Sequence, residues 1–520
     1  MFVKTNKTNI VRYGLLVPIV LIFFSIQNEV FIVGHFLSLF VFEIIPWELI
    51  TQPTPKLSTA FSLFDSQKSP SVTLDNTLAG LFREHGVSDP VFLDIYNAYS
   101  YMDIHPQILR EPVYTQDEDV GFSSNTTDEN FERFRTMVLT YKTVKFLLGL
   151  GPVDVYLYSP ANLPANIDRV LSLLPANQRP RIHYIDLNKH NVQDELRRVI
   201  RGKKLWYYRA KSYMLEHDTL VHPDFSYEIN DKRFLLHPSI PTPDLQMAPL
   251  QGEDLNTSVL SKRPLPFVVK LRRCAGSQGT WIVTREDQRQ DMLTAMEEYQ
   301  DRGVPDVQIS EFIHSTQPHY SVNFFVGAAG PSNATSTVTF LGATEQLFTQ
   351  SGRWAGSVID YRSQNQIKEQ LMDTINAVAR TLIGSYVGWA GIDVIIDAHS
   401  NRKVVVDLNA RLTGGFIVCL LSNHFMKERG LPLVQAQSFH YQGKSSDVYT
   451  LLAPFISKGQ VIVAAATESL PNNSTAQLIF GGQTREELFS MKAAIRERLN
   501  RCLDRHGMID YSIGRPSMSI

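Results

Sequence analysis

Two β-rich runs, Gly391-Ile-Asp-Val-Ile-Ile-Asp397 and Lys403-Val-Val-Val-Asp-Leu-Asn-Ala-Arg411, flank the polar segment Ala398-His-Ser-Asn-Arg402. Branched apolar residues favour a pleated strand and the polar segment favours a turn, so the pattern predicts a hairpin. Centred near Ser400, that hairpin sets Asp393 opposite Asp407, and Asn409, two residues further on, shares the face of Asp407. Two carboxylates and an amide oxygen then converge on one spot. Like charges that close repel, and a bound cation would explain their company. Hard oxygen donors suit Mg²⁺, which binds through one or two carboxylates together with substrate phosphates. A solvated hairpin with acidic ends has the same spacing, so both readings stand on spacing alone.

Upstream, Pro266-Phe-Val-Val-Lys270 reads as a short strand ending in a lysine. Arg272-Arg-Cys-Ala-Gly-Ser-Gln-Gly279 follows, and then a second strand, Thr280-Trp-Ile-Val-Thr284. A glycine-bearing loop between two strands can lay its backbone N–H groups over phosphates, with Lys270 as a fixed charge for the same anion. The loop lacks the Gly-Lys-Ser/Thr of a P-loop, and it is not Gly-x-Gly-x-x-Gly.

In this order the segments resemble the ATP-grasp ligases, the group that includes D-alanine–D-alanine ligase, biotin carboxylase and carnosine synthase. Ile229-Asn-Asp-Lys-Arg-Phe-Leu-Leu-His-Pro-Ser-Ile-Pro-Thr-Pro243 is similar to the helix from which a family lysine reaches the nucleotide phosphates, which implies that role for Lys232. Lys270 resembles the second phosphate lysine, and Gly276, Ser277 and Gly279 resemble the flexible phosphate loop. Ile309-Ser-Glu-Phe-Ile313 is similar to the hinge whose backbone pairs with adenine and whose glutamate faces the exocyclic amine, which implies Glu311, Phe312 and Ile313. Asp393, Asp407 and Asn409 resemble the family's metal triad. Arg411 resembles the arginine that often follows that asparagine and contacts phosphate or substrate. The resemblance runs from about Tyr227 to Leu420 and implies ATP with Mg²⁺, or Mn²⁺ in its place, as cofactors, with Lys270 and Arg411 at the reacting centre.

Two positions depart from the family pattern. Where many relatives hold the ribose with a glutamate, the aligned residue is His319, which can also hydrogen-bond a ribose. Where D-alanine–D-alanine ligase has an arginine ahead of the Ile-Asp-Val strand, this chain has Gly391, leaving Arg411 or Arg353 to supply that charge.

The chain's 520 residues suggest several domains, and 43% apolar with 20% charged residues indicate folded ones. A formal charge of −2 gives no basic footprint for nucleic acid. Three cysteines, Cys274, Cys419 and Cys502, have neither disulfide nor zinc spacing. His183, His217 and His222 lie on unrelated segments and read as ordinary structural histidines. Trp206-Tyr207-Tyr208 reads as core or domain contact.

The expected architecture is α/β, with an α+β catalytic part. Residues 1–50 are an apolar N-terminal segment, and 51–75 a Pro/Ser/Thr-rich linker. Residues 76–226 form a small parallel α/β domain, because strand-like Val153–Tyr158 and Arg181–Asp186 alternate with helix-like Ile167–Leu174 and Val192–Ile200. Residues 227–435 form the ATP-grasp domain. Residues 436–520 form a C-terminal α/β subdomain with strands near Gln460–Ala464 and Ala476–Phe480 and a helix from Glu486 to about Leu503. An amphipathic helix is expected at Phe131–Leu147 and a surface loop at Gln116–Glu129.

Tyr13–Phe42 is interrupted by one charge, Glu29, and is long enough to cross the roughly 30 Å of a bilayer core. It reads as membrane attachment, with the ATP-using part facing the cytosol. A span, a re-entrant anchor and a start site downstream, which would leave the protein cytoplasmic, all remain open.

Two function classes follow. One is an ATP-dependent carboxylate–amine ligase that forms an amide through an acyl-phosphate and releases ADP and phosphate. Its substrates would be a small carboxylic acid and an amine, and the chain resembles fungal secondary-metabolism members of the group. The alternative is an inactive, membrane-attached ATP-binding module acting as sensor or scaffold. The intact triad favours the enzyme, since a chain released from chemistry has no reason to keep two acids face to face. Nothing in the sequence reads out the oligomeric state.

Overall fold

The computed structural model describes residues 71–88, 90–94, 141, 144–158, 163–185, 192–208, 210, 212–274, 277, 279–301, 303–328, 338–349, 352–470 and 472–500, all within the compact unit Ser69–Ile520. The apolar run Tyr13–Phe42, the Gln116–Glu129 segment, most of the helix expected at Phe131–Leu147, and Cys502 lie outside them. Among the described residues no helix is long and apolar enough to cross a membrane.

Three sheets organise the chain. The first is parallel, in the order β3-β2-β1-β4, with β1 Val91–Asp94, β2 Asp154–Tyr158, β3 Arg181–Ile185 and β4 Leu205–Tyr207. Helices Leu163–Ser172 and Val192–Ile200 make its crossovers. The helix Leu78–Glu84 begins where the Thr77 hydroxyl accepts the Gly80 N–H at 3.0 Å.

The second sheet is antiparallel, in the order β5-β8-β6-β7, with β5 Leu245–Pro249, β6 Phe267–Leu271, β7 Thr280–Val283 and β8 Asp306–Glu311. Alternation decides its faces. Phe267, Val269 and Leu271 are buried in one core with Met292 and Met296 of the helix Glu286–Asp301. The period of two therefore turns Val268 and Lys270 to the opposite face.

The third sheet is antiparallel and eight-stranded, in the order β13-β12-β9-β10-β11-β14-β16-β15. Its strands are β9 Tyr320–Val326, β10 Val338–Phe348, β11 Trp354–Asp360, β12 Gly388–Ile396, β13 Lys403–Asn409, β14 Leu433–Gln442, β15 Val461–Leu470 and β16 Asn473–Gly482. The C-terminal strands thus extend this sheet rather than building a sheet of their own, and the helix Arg485–Asn500 packs on them. The helix Gln364–Leu382 buries Leu371, Ile375 and Val378 in one core with Val322, Phe324, Ile392 and Val394. The other side chains of β9 and β12, among them Ser321, Asn323, Trp389 and Asp393, face away from that helix.

Rings join the parallel sheet to that second face. Phe82 packs edge-on against Trp206 and Phe325, with centroids 5.9 and 5.2 Å away, and Phe416 packs edge-on against Trp389 at 4.6 Å and Phe146 at 6.0 Å. Phe416 is fully buried, so Phe416→Ala should cost about 3–5 kcal/mol of unfolding free energy, read by denaturant titration.

His424 is also fully buried, with Nε2 3.1 Å from the Gly459 carbonyl. Burial, and then the Arg429 charge, push its pKa down to about 4. Between the ordinary histidine value and that one, the unfolded chain binds the extra proton. The stabilisation is therefore complete above about pH 6.5 and lost as pH falls towards 4, by an amount on the order of 3 kcal/mol. Unfolding free energies measured across that window should flatten in His424→Gln.

Candidate active site

The hairpin β12–β13 carries the acids. Asp393 stands opposite Asp407, and Gly391 opposite Asn409. Nearer the turn the pairing shifts to Val394 with Val405, so Val406 is an extra residue, a β-bulge. On its other side β12 pairs with β9, which puts Ser321 next to Asp393. The Ser321 hydroxyl and the Gln346 side chain hydrogen-bond the Asp393 carboxylate.

Both lysines reach this hairpin from elsewhere in the fold. Lys232, 3% exposed, is ion-paired with Asp407. Lys270, on the face of β6 turned away from its core, donates to the carbonyl of the bulge residue Val406 at 2.7 Å. Lys232 opens the 3-10 turn Lys232–Leu236, where the sequence reads a longer helix. Asp231 caps that turn by accepting the Arg233 N–H at 2.9 Å, and its carboxylate also takes Arg272 at 2.6 Å and Arg273 at 2.7 Å. The Lys232 N–H donates to the Arg272 carbonyl at 2.8 Å, which fastens the turn to the end of β6.

The charges are unequal in their surroundings. Burial, then the neighbouring Asp407, pushes the Asp393 carboxyl up to about 6. Burial alone would also raise Asp407, but the charges of Lys232 and Lys270 outweigh it and hold that group below the usual carboxylate range. Burial lowers Lys270; at Lys232 burial is the largest single influence, but the Asp407 charge, Cys274 and the hydrogen bond to Asp407 together outweigh it and raise the group. One acid is thus electrostatically satisfied and the other is not.

That imbalance is a fit test for a cation. Among the described residues no group of three or more His, Cys, Asp or Glu side chains could hold a metal. The Asp393–Asp407 pair with an amide oxygen is a donor set suited to Mg²⁺ that completes its shell with phosphate and water. Asn409 brings a complication, because its Oδ1 accepts Arg411 Nη2 at 2.6 Å. A cation bound there would share that oxygen with the guanidinium or displace it.

The remaining candidates are placed less centrally. Glu311 ends β8, and its Oε1 accepts the Asp244 N–H at 3.0 Å and Arg402 Nη2 at 2.9 Å, so the hairpin turn clasps the hinge. Phe312 packs edge-on against His314, 4.9 Å away, and Ile313 is buried. The His314 carbonyl accepts the Ala398 N–H at 2.8 Å, a second tie between hinge and turn. In the loop after β6, Ser277 and Gly279 adopt positive φ of 65° and 66°. A Cβ at Gly279 would lie 2.7 Å from Leu271, so glycine is required there. Gly276 lies outside the described residues. His319 is exposed, with its ring 6.0 Å from that of Phe348, and among the described residues no hydrogen bond or ion pair joins it to the lysines or acids. Arg353 sits in the β10–β11 turn, its backbone bonded to Thr349. Gly391 has a packing reason to lack a side chain: a Cβ there would lie 2.4 Å from Thr413 Cγ2.

Sequence reasoning passed over Asp231, Arg402 and Ser321, and read Tyr208, with Trp206 and Tyr207, as core or domain contact. Asp231 carried a signal, since an aspartate directly before a helical turn is a preferred cap. Tyr208 carried none beyond its aromatic neighbours.

Comparison with known proteins bears on this arrangement. Residues 248–409 match the family described as L-aspartate–L-methionine ligase, ATP grasp. The matched segment, residues 248–409, is thus of the ATP-grasp ligase type. Enzymes of that type are ADP-forming carbon–nitrogen ligases that use ATP with Mg²⁺ or Mn²⁺. Solved ATP-grasp structures are similar at low identity. N5-carboxyaminoimidazole synthetase from Staphylococcus aureus, complexed with ADP, is 11% identical with a TM-score of 0.44, covering 78% of this chain and 97% of its own. Phosphoribosylamine–glycine ligase from Thermotoga maritima is 14% identical with a TM-score of 0.43, covering 70% and 94%. Biotin carboxylase from Campylobacter jejuni is 11% identical with a TM-score of 0.43, covering 78% and 91%. No curated protein matches the chain.

Lys232 occupies the carboxylate that a cation would need. Lys232→Met removes the charge and keeps the stem, so Mn²⁺ alone, followed by electron paramagnetic resonance without nucleotide, should bind roughly tenfold more tightly than to wild type. ATP should bind more weakly to the same variant. Unchanged Mn²⁺ affinity would show that Asp407 is not a ligand.

Proposed function

We propose that the protein joins a small carboxylic acid to an amine, in specialised metabolism, through an acyl-phosphate. The observation that carries this reading is the convergence of Lys232 and Lys270 on the strand that bears Asp407, with Asp393 facing it. Two cations and two acids in one cleft suit a polyphosphate and its counter-ion, and they suit no simpler ligand as well.

In this proposal Lys232 and Lys270 turn from β13 to the nucleotide phosphates, and Glu311, Phe312 and Ile313 hold the adenine. Asp393, Asp407 and Asn409 would hold Mg²⁺, which offsets charge on the β- and γ-phosphates. The substrate carboxylate oxygen attacks the γ-phosphorus, and the bond to the β-phosphate oxygen breaks, leaving ADP. The amine nitrogen then attacks the acyl carbon and loses a proton. Phosphate departs with the oxygen that came from the acid. An acyl-phosphate hydrolyses in water, so the loop around Ser277 and Gly279 has a covering role to play. The matching family is named for joining L-aspartate to L-methionine, so amino acids lead the search for substrates.

A screen for ADP release across acids, with and without amines, tests the class. ¹⁸O-labelled carboxylate should deliver label into the released phosphate, and AMP with pyrophosphate as products would overturn the reading. Asp407→Ala should lower Mg²⁺-dependent turnover at least about 100-fold, read on protein that circular dichroism shows to be folded, since the substitution also strands the buried Lys232 at a cost of about 3–5 kcal/mol.

Membrane attachment through Tyr13–Phe42, with the catalytic part in the cytosol, belongs to the same proposal and is supported by the apolar run alone. Full-length protein should then pellet with membranes, and protein beginning near Ser71 should stay in the supernatant.

A further inference from the structure

Tyr208 is the first residue past β4 of the parallel sheet, yet its hydroxyl meets the end of β13. Leu205, Trp206 and Tyr207 are buried, so β4 is anchored and its carboxyl end delivers Tyr208 to the surface of the parallel layer. In open parallel sheets that end of the strands is where ligand crevices form. The Tyr208 ring lies against Phe146, centroids 5.5 Å apart, and Phe146 meets Phe416, which meets Trp389 of β12. A chain of rings thus fixes the phenol relative to the acids.

Across from it, Arg411 donates from Nη1 to the Tyr208 hydroxyl at 3.1 Å and from Nη2 to Asn409 Oδ1 at 2.6 Å, with the guanidinium 5.6 Å from the centre of the Tyr208 ring. A guanidinium is planar, so two contacts on different nitrogens set both its position and its rotation. Nη1 also reaches the Leu412 carbonyl, at the longer distance of 3.4 Å, so the phenol is the closer acceptor on that nitrogen and the one that the parallel layer supplies.

We infer that Tyr208 is a positioning residue that orients the Arg411 guanidinium over the β12–β13 site, so that the first α/β layer completes the reacting centre. The inference rests on the ligase reading for its kinetic consequence, while the orientation itself can be read without it. Tyr208→Phe removes one oxygen and keeps the ring on Phe146, so its thermal midpoint should stay close to that of wild type.

In the full-length enzyme, with the acid found by the ADP-release screen, Tyr208→Phe should lower kcat about tenfold and Arg411→Ala about 100-fold. The Michaelis constant for ATP should change less than about twofold in Tyr208→Phe, because the lysines and hinge are untouched. The double variant should be no slower than Arg411→Ala, since a residue that acts through another has nothing left to lose. Losses that multiply, or full activity in Tyr208→Phe, would overturn the inference.

Arginine-labelled protein supplies the second readout. The Arg411 Nη resonances, assigned by their loss in Arg411→Lys, should be separate in wild type and averaged in Tyr208→Phe. If no acid yields ADP, the ligase reading fails and these spectra still decide the orientation. Averaged signals in wild type, or unchanged signals in Tyr208→Phe, would refute it.

Discussion

The site depends on the ion pair between Lys232 and Asp407, made by residues 175 positions apart in the chain. Asp407 faces Asp393 across the hairpin, and two carboxylates so placed would otherwise discourage each other's ionisation. The lysine resolves this in favour of Asp407, and Asp393 carries the cost as a raised pKa. Removing one partner of a buried pair typically costs about 3–5 kcal/mol, because the other charge is stranded. The contact therefore couples the second sheet to the hairpin more tightly than surface packing would. A cation held by Asp407 would compete with Lys232 for that carboxylate, and a phosphate that took over the lysine would make room for it.

The backbone makes this geometry possible through one extra residue. Near the turn Ile396 faces Lys403, whereas at the site Asp393 faces Asp407. The two registers differ by one residue, and the Val406 bulge absorbs the difference. Without it, the register set by the turn would bring Asp407 out of line with Asp393, because a one-residue slip reverses every side chain on a strand. The bulge does a second job. Its carbonyl turns out of the ladder and receives Lys270. A local irregularity thus aligns the acids and seats the second lysine.

Much of this was legible in the sequence and some was not, for physical reasons. The hairpin and the facing acids followed from β-branched runs around a polar turn, since such patterns report local structure. The bulge did not, because Val404, Val405 and Val406 are chemically alike and nothing marks the extra one. The order of lysine, loop, hinge and acids pointed to the family, but the partners of those residues lie far away in sequence. Arg402 reaches Glu311 across 91 positions, and Arg411 reaches Tyr208 across 203. Periodicity carries no information at that range. β14 also escaped notice. Leu433 to Gln437 are all buried, so no alternation betrays a strand, and Gln435 and Gln437 break the apolar run while bonding each other at 2.8 Å.

Packing bears on a question that the family pattern leaves open, which arginine stands at the site. A side chain at position 391 would collide with Thr413, and Thr413 is itself committed, its hydroxyl donating to Asn323 Oδ1 at 2.6 Å. The same oxygen accepts the Trp389 indole N–H at 3.1 Å, and Trp389 packs on Phe416. Opening space for an arginine at 391 would therefore disturb a satisfied buried network and the aromatic contact that joins two layers. The charge has to come from beside the site rather than from beneath it. Arg353 is held in the β10–β11 turn, whereas Arg411 follows Asn409 by two residues and is bonded to it. With the floor of the site closed to a large side chain, Arg411 is an arginine joined directly to the β12–β13 hairpin, and the Tyr208 hydroxyl and the Leu412 carbonyl both accept from its other terminal nitrogen.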